Sequence, residues 1–320
     1  MLLRLIAVAR LILILNLSGC SESPGFSEEE SFRSAEVPKQ NNLSSVVPLE
    51  DPSSLQIIVF GDFGSLNVPM TTAMDTYHSK FINPDMVFLL GDNAYDHISS
   101  PSDYSIWYEH VARESKADHY AILGNFDYIL NVDQMMLMEM HLADSRWIMP
   151  SRYYFKRFDK VNLCVWFLDT DRLDAAQVDW LDASIQSEKS TCTWTIVNGH
   201  HPGMVQASGP TFGSKTRGAS LESIFDKHSI DIYMCGHHHN SQHLTNLPFN
   251  THYFVVGQIS LKHPFLGTPT RGQVVWGSAA QPAFLELNVS ATQIAFAFHG
   301  GSTGSDIHSG TIAHRSEYLN

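Results

Sequence analysis

Positive charge is scarce in this chain: 20 Lys and Arg stand against 33 Asp and Glu over 320 residues, a formal net charge of −13. That balance argues against the phosphate backbone of nucleic acid as a default partner, and no nucleic acid is expected. A small anionic substrate is still permitted, because bound cations dominate the field where they sit. Cysteine is sparse, at four residues. No apolar run reaches bilayer-spanning length; LILILNL, near the amino terminus, is far short of the roughly 20 residues a spanning helix needs. Internal repeats are missing, and no low-complexity linker interrupts residues 55 to 300. With 43% apolar residues, this predicts one large domain around a substantial core.

What is present at the amino terminus reads as an export signal over residues 1–19: two arginines, Arg4 and Arg10, a short apolar stretch, then small residues. Leu17-Ser18-Gly19-Cys20 resembles the bacterial lipoprotein cleavage box, which implies cutting before Cys20 and lipidation of its sulfur. Membrane contact would then run only through that anchor. An ordinary signal peptide with a chance cysteine, giving a secreted protein, is the alternative. Residues 20–52 are polar, acidic and proline-dotted, as in a disordered tether. Asn42-Leu43-Ser44 and Asn288-Val289-Ser290 fit the glycosylation sequon of a eukaryotic secreted enzyme, although such triplets recur by chance. Export permits a disulfide between Cys164 and Cys192, which lie in two strand-like runs; two buried thiols fit equally well. Cys235 reads as a packed small hydrophobe.

Five apolar runs each break into a polar turn at a glycine: Gly61-Asp62-Phe63-Gly64, Gly91-Asp92-Asn93-Ala94-Tyr95, Gly124-Asn125-Phe126-Asp127, Gly199-His200-His201-Pro202 and Gly236-His237-His238-His239. Short apolar runs ended by glycine read as buried strands entering turns, and ligands of open α/β sheets gather at such strand ends. Two Asp, one Asn, one Tyr and three His should therefore meet in one cleft and suit a pair of metal ions. Taken singly each turn is weak; five in register with five strand ends are not. Most of the 17 histidines must be solvated or packed, and His78, His110, His119, His141, His228, His252, His263, His308 and His314 are read that way.

Helical periodicity is predicted over 71–81, 102–115, 132–142, 174–187 and 220–228, with Asp174 as an N-cap. Residues 152–158 and 162–168 suggest an antiparallel pair, and the last third is rich in strands, 306–313 being a final edge strand. Early βαβ units followed by strands predict an α/β fold of two packed sheets with helices outside, over residues 53–314, and 315–320 as a tail.

These motifs resemble those of the calcineurin-like metallophosphoesterases, and within them the purple acid phosphatases of the mammalian tartrate-resistant type. The resemblance runs from about Leu55 to about Ala313. Other members of the superfamily place a histidine where Gly64 stands, whereas purple acid phosphatases carry a tyrosine where Tyr95 stands; the segments 146–151 and 233–236 also echo the mammalian type. The resemblance implies a four-layer α/β/β/α sandwich of two mixed sheets flanked by helices. It implies Asp62, Tyr95 and His239 on a first ion, Asp92 bridging, and Asn125, His200 and His237 on a second. A carboxylate and a phenolate suit Fe(III); an amide and two imidazoles suit Fe(II), Zn(II) or Mn(II). The implied activity is acid phosphatase hydrolysis of small phosphate esters by a dinuclear metal-bound hydroxide.

The pattern departs from the family where Gly-Asn-His becomes Gly124-Asn125-Phe126, and a second family histidine has no counterpart in Gly203–Pro210. The family histidine helps to protonate the leaving group, which phenylalanine cannot do; losing such an acid costs about 10²–10⁴ in rate. His201 and His238, beside ligands, and Asp127 are the candidate catalytic replacements, with solvent-facing histidines the bland alternative. Lys215, Arg217 and Arg271 are candidate phosphate contacts or plain surface charge. Two further functions stay open: a nucleotide phosphodiesterase or pyrophosphatase of the same fold, and a metal-binding surface lipoprotein that has given up catalysis.

Overall fold

Period-two alternation in the apolar runs decides the layering. In the computed structural model the described residues are 53–81, 83–95, 106–113, 115–129, 139–206, 219–246, 250–264 and 272–314. The leader, Cys20, the tether, Lys215, Arg217 and Arg271 lie outside them. Fourteen strands are present among the described residues: β1 (Leu55–Phe60), β2 (Met86–Leu89), β3 (Asp118–Ala121), β4 (Trp147–Ile148), β5 (Tyr154–Phe158), β6 (Leu163–Phe167), β7 (Trp194–Asn198), β8 (Ile232–Cys235), β9 (Ser241–Asn246), β10 (Thr251–Val256), β11 (Gln273–Ser278), β12 (Ala283–Val289), β13 (Gln293–Gly300) and β14 (Asp306–Ala313). They form two seven-stranded mixed sheets, ordered β14-β13-β12-β1-β2-β3-β4 and β11-β9-β10-β8-β7-β6-β5.

In the second sheet the two faces bury different partners. Leu163, Val165 and Phe167 of β6 join one core with Ile57, Val59 and Phe88 of the first sheet, whereas Cys164 and Trp166 join another. Phe167 meets Phe88 edge-on at 5.2 Å across the two sheets. The other core packs Leu181 and Ile185 of α3 (Ala175–Glu188) and Leu221 and Phe225 of α4 (Ala219–His228) against Val197 and Tyr233. On the first sheet, α1 (Val68–Lys80) seats Met70, Ala73, Met74 and Tyr77, with Tyr77 edge-on to Phe60 at 5.0 Å. Helix, sheet, sheet, helix is the resulting order, the expected four-layer sandwich.

Helix starts follow their caps. Asp174 Oδ1 accepts from Gln177 N at 2.8 Å, as predicted. Helix α1 begins three residues before the predicted start, because Asn67 Oδ1 accepts from Met70 N and Pro69 sits in the first turn. The run predicted helical over 102–115 is described only as a π-helical turn, Trp107–Ala112, and of 132–142 only a short 3₁₀ turn, Met140–Leu142, is described. Strands β5 and β6 pair antiparallel and β14 forms an edge, as expected. No described helix is long and apolar enough to cross a membrane.

The question of Cys164 and Cys192 resolves as a disulfide, Cα–Cα 5.7 Å, while Cys235 is a buried free thiol pushed well above its usual pKa by burial. The bond closes a loop of 28 residues. Such a loop restricts the unfolded chain by about 3 kcal/mol. The double variant Cys164→Ala/Cys192→Ala is expected to lose about that much stability in urea unfolding, with m rising as the released unfolded chain exposes more surface; an unchanged unfolding free energy would contradict it.

Candidate metal centre

All five glycine turns leave the carboxyl ends of parallel strands. Asp62 follows β1 and Asp92 follows β2, its neighbour in the first sheet. Asn125 opens α2 (Asn125–Ile129) just after β3, and His200 and His237 follow the adjacent strands β7 and β8 of the second sheet. Three of these residues hold left-handed backbones without being glycine: Asp62 at φ 58°, Asp92 at 51° and His237 at 65°. Such backbones cost of order 1–3 kcal/mol each and persist only where surroundings enforce them. Here interlocked turns do so. Asp62 N donates to Gly91 O at 3.1 Å, Gly64 N to Asp92 O at 3.1 Å and Tyr95 N to Gly64 O at 3.0 Å. A side chain at Gly124 would collide with Asp92, and one at Gly236 with the Asp62 carboxylate; the close approach of turns demands glycine at both.

The seven residues picked out in the sequence lie in one linked run. His239 Nε2 is 3.2 Å from Asp62 Oδ1 and 3.3 Å from the Tyr95 hydroxyl. Tyr95 O–H donates to Asp92 Oδ2 at 3.4 Å, and His200 Nε2 is 3.3 Å from Asp92 Oδ1. Asn125 Oδ1 stands 3.1 Å from His200 Nε2 and 2.7 Å from His237 Nδ1. The His237 amide closes the run by donating to Asp62 Oδ2 at 2.9 Å. Ligand atoms of Asp62, Asp92 and His200 all fall within 4.8 Å of one another.

Electrostatics show what this cluster needs. Asp62 and Asp92 are buried, and among the described residues neither pairs with Lys or Arg. Burial raises the Asp62 pKa despite its His239 neighbour. Burial works against Asp92 too, but His200 and the Phe126 amide outweigh it and hold that carboxyl below the usual range. Burial would lower His200, yet the Asp92 carboxylate pushes it up to about 10. His237 is driven down by burial and by four surrounding histidines, so it offers a neutral imidazole. The Tyr95 phenol is raised by burial and by Asp62, Asp92 and Asp127. Asp62 Oδ1 is fully enclosed, and its 3.2 Å approach to His239 Nε2 lacks the geometry of a hydrogen bond. Two enclosed carboxylates, a phenol, an amide oxygen and neutral imidazoles are a donor set that divalent or trivalent cations fit. His200 Nδ1 faces Leu90 O at 2.8 Å, which leaves Nε2 as the nitrogen turned to the cleft.

The three candidate replacements for the family acid are all buried. His201 has its ring 4.4 Å from that of His237, with Nδ1 3.3 Å from Thr170 Oγ1 and Nε2 3.8 Å from Asp171. The His238 ring lies 5.6 Å from that of His237. Asp127 accepts from Gly124 N, Asn93 N, Asn93 Nδ2 and Ala94 N at 2.7–3.3 Å. It thereby clamps the Asp92 turn to the Asn125 turn, and burial with the nearby Asp92 charge pushes its pKa up to about 7. Phe126 sets its ring edge-on to Tyr95 at 4.7 Å, while its amide donates to Asp92 Oδ1 at 2.8 Å.

Two residues at the site carry no signal in the sequence. Thr170, at the end of β6, accepts from both His200 N and His201 N through Oγ1, at 3.0 and 2.8 Å. His263, read as a bland histidine, stacks on His239 with ring centroids 4.4 Å apart. It stands in an irregular segment 24 positions beyond His239, where no periodicity or glycine turn marks it.

The sequence profile described as calcineurin-like phosphoesterase matches residues 55–241. Purple acid phosphatase 7 of Arabidopsis thaliana is 24% identical over 331 residues, covering 90% of this chain and 95% of that protein. Tartrate-resistant acid phosphatase type 5 of Rattus norvegicus is 25% identical, covering 60% of this chain and 68% of its own. Among solved structures, GAP50, the anchor in the inner membrane complex of Plasmodium, superposes with a TM-score of 0.70 at 19% identity, over 82% of this chain and 89% of that one. Purple acid phosphatase PPD1 from yellow lupin (Lupinus luteus) seeds gives 0.64 at 16% identity, over 83% and 55%. At those identities the superpositions speak for the fold alone. With the profile covering more than half of its length, the chain belongs to the calcineurin-like phosphoesterase family.

Proposed function

We propose that this protein is a metal-dependent acid phosphatase that hydrolyses small phosphomonoesters at a dinuclear centre. The observation that carries the reading is two enclosed carboxylates at neighbouring strand ends, without Lys or Arg, linked to five further metal-type donors. Asp62, Tyr95 and His239 would hold a first cation, suited to Fe(III) by a carboxylate and a phenolate. Asn125, His200 and His237 would hold a second, Fe(II), Zn(II) or Mn(II), with Asp92 shared. When bound, such a pair supplies Lewis acidity that acidifies water and neutralises charge on a phosphoryl oxygen.

The chain's own residues set the rest. The glycine turns hold Asp62 and Asp92 against their strand ends, and Thr170 fixes the backbone of His200 and His201. Asp127 keeps two turns together. Protonating the departing alkoxide falls to no side chain at position 126. Besides His263, which stacks on His239, the imidazoles beside the donors that are not assigned to a cation are His201 and His238. This weak acid arm favours esters whose alcohols leave unaided, such as aryl phosphates. An open pyrophosphatase or phosphodiesterase activity has no residue among those described that favours it. The alternative of a non-catalytic metal-binding protein is favoured by Phe126 alone, and seven donors in one run weigh against it.

The export reading complements this. Residues 1–19 are a signal removed before Cys20, Cys20 is lipidated, and residues 20–52 tether the domain of 53–314 to a membrane surface.

Three outcomes test these statements. Asp92→Asn is expected to lower kcat/KM on an aryl phosphate by about 10²–10³-fold or more, the scale of losing a principal electrostatic contact; equal rates would favour a contaminant or a different centre. Across phosphomonoesters of rising leaving-group pKa, the wild-type rate should fall steeply, and Phe126→His should restore alkyl substrates by about 10²-fold while changing aryl substrates little. A flat dependence in the wild type would contradict the weak acid arm. Mass spectrometry of the mature protein should find a lipid-bearing amino-terminal Cys20; an unmodified amino terminus would identify a plain signal peptide.

A further inference from the structure

Arginine is scarce among the described residues and, with one exception, neutralised. Arg113, Arg146, Arg152 and Arg157 each pair with an aspartate at 2.6–2.9 Å. Arg172 pairs with no carboxylate among the described residues. Its amide donates to Asp169 Oδ1 at 3.1 Å, and its carbonyl oxygen accepts from Arg152 Nη2 at 3.3 Å. The guanidinium lies over the Tyr128 ring, 4.0 Å from the centroid, and the residue is exposed. A guanidinium held over a ring face keeps the N–H donors of its edge for another partner, in the planar fork that fits a carboxylate or a phosphate.

Arg172 stands where two donor-bearing segments meet. It ends the run Asp169-Thr170-Asp171-Arg172 that leaves β6. Thr170 Oγ1 accepts from His200 N and His201 N, which ties this run to the turn carrying a donor for the second cation. Tyr128 belongs to α2, three residues after Asn125. Residues at that spacing share a helix face, with Cβ atoms about 5–6 Å apart. Tyr128 O–H donates to Asp169 Oδ2 at 2.5 Å, and Arg152 Nε stands 2.9 Å from the same oxygen. The charge of the buried Asp169 is therefore answered without the Arg172 guanidinium. Asp171, its other carboxylate neighbour in sequence, has Oδ1 3.8 Å from His201 Nε2. An unpaired guanidinium is thus fixed beside the turns of Asn125 and His200, in a chain whose net charge is −13.

We propose that Arg172 receives a second anionic group of the substrate, a carboxylate or a further phosphate carried on the alcohol part of the ester, while the scissile phosphoryl group stays with the cations. The assignment rests on the phosphomonoesterase reading and narrows its substrate class to esters of anionic alcohols. A fork of N–H donors takes an anion through two parallel charge-assisted bonds; a neutral hydroxyl or an alkyl end gains neither. Tyr128 restricts the guanidinium in advance, so less side-chain freedom is lost when the anion arrives. One anion at the cations and another at Arg172 also fix the ester at two points, which orients the bond to be broken.

Phosphonates test this without turnover. Propyl-, butyl- and pentylphosphonate would be titrated calorimetrically into the metal-loaded protein beside their carboxylate-ended counterparts, 3-phosphonopropionate, 4-phosphonobutyrate and 5-phosphonopentanoate. Propane-1,3-bisphosphonate supplies the phosphate arm, and inorganic phosphate is the reference. A charge-assisted fork at an exposed rim is worth about tenfold in affinity. A doubly anionic ligand of matching reach is expected to bind about tenfold tighter than the alkylphosphonate of its length, and the arm in which this happens identifies the anion. Arg172→Gln should remove that preference, Arg172→Lys should keep part of it, and Arg157→Gln should keep all of it. Three results overturn the inference while leaving the phosphatase reading standing: doubly anionic ligands that bind no better than alkylphosphonates, a preference that survives Arg172→Gln, or an equal weakening of every ligand in Arg172→Gln, which would put the guanidinium on the scissile group itself. Failure of inorganic phosphate and every phosphonate to bind would overturn both readings together.

Discussion

Two carboxylates, Asp62 and Asp92, end adjacent parallel strands inside the protein with no Lys or Arg to neutralise them among the described residues. Enclosed charge of one sign is costly, and nearby histidines answer it only in part. The pKa directions express that imbalance: Asp62 and Tyr95 are pushed up, His200 is pushed up to about 10 by Asp92, and His237 is pushed down by its crowd of imidazoles. Asp62 is driven toward its neutral form and Tyr95 holds its proton, while Asp92 keeps its charge through His200; multivalent cations would relieve that imbalance.

The fold is organised to enforce that arrangement. Left-handed backbones at Asp62, Asp92 and His237 are held by hydrogen bonds between turns, and glycines at 124 and 236 let those turns touch. Asp127 adds a clamp from α2, while Thr170 adds one from the end of β6. Both sheets contribute donors, so the inter-sheet core formed around Phe88, Phe167 and Phe254 sets the distance between the two halves of the site. Packing and chemistry are therefore one problem here: moving a sheet would separate Asp62 from His239.

Much of this was legible in the sequence because it is written in local signals. A buried strand that breaks at glycine into Asp, Asn or His announces its own position, and five such breaks define a cleft without any knowledge of distances. The antiparallel pair of β5 and β6 and the cap at Asp174 were equally local. What escaped depends on contacts between distant segments. His263 reaches His239 through an irregular loop, and Thr170 touches His200 and His201 across two strands. The start of α1 was missed because Asn67 reads as loop until its side chain is seen capping Met70. The Cys164–Cys192 bond needed the spacing of β6 and β7, which composition does not carry. Phe126, by contrast, was visible from the start as a departure, and its place against Tyr95 gives that departure a location beside the donors.

The central claim is that seven side chains from five strand ends hold two metal ions. Metal analysis of aerobically purified protein, together with its visible spectrum, tests it most directly. The account predicts two metal ions per chain, at least one of them iron, and a violet absorption from the Tyr95 phenolate that vanishes in Tyr95→Phe. A colourless, iron-free protein that still hydrolyses phosphate esters, or a stoichiometry of one, would contradict it.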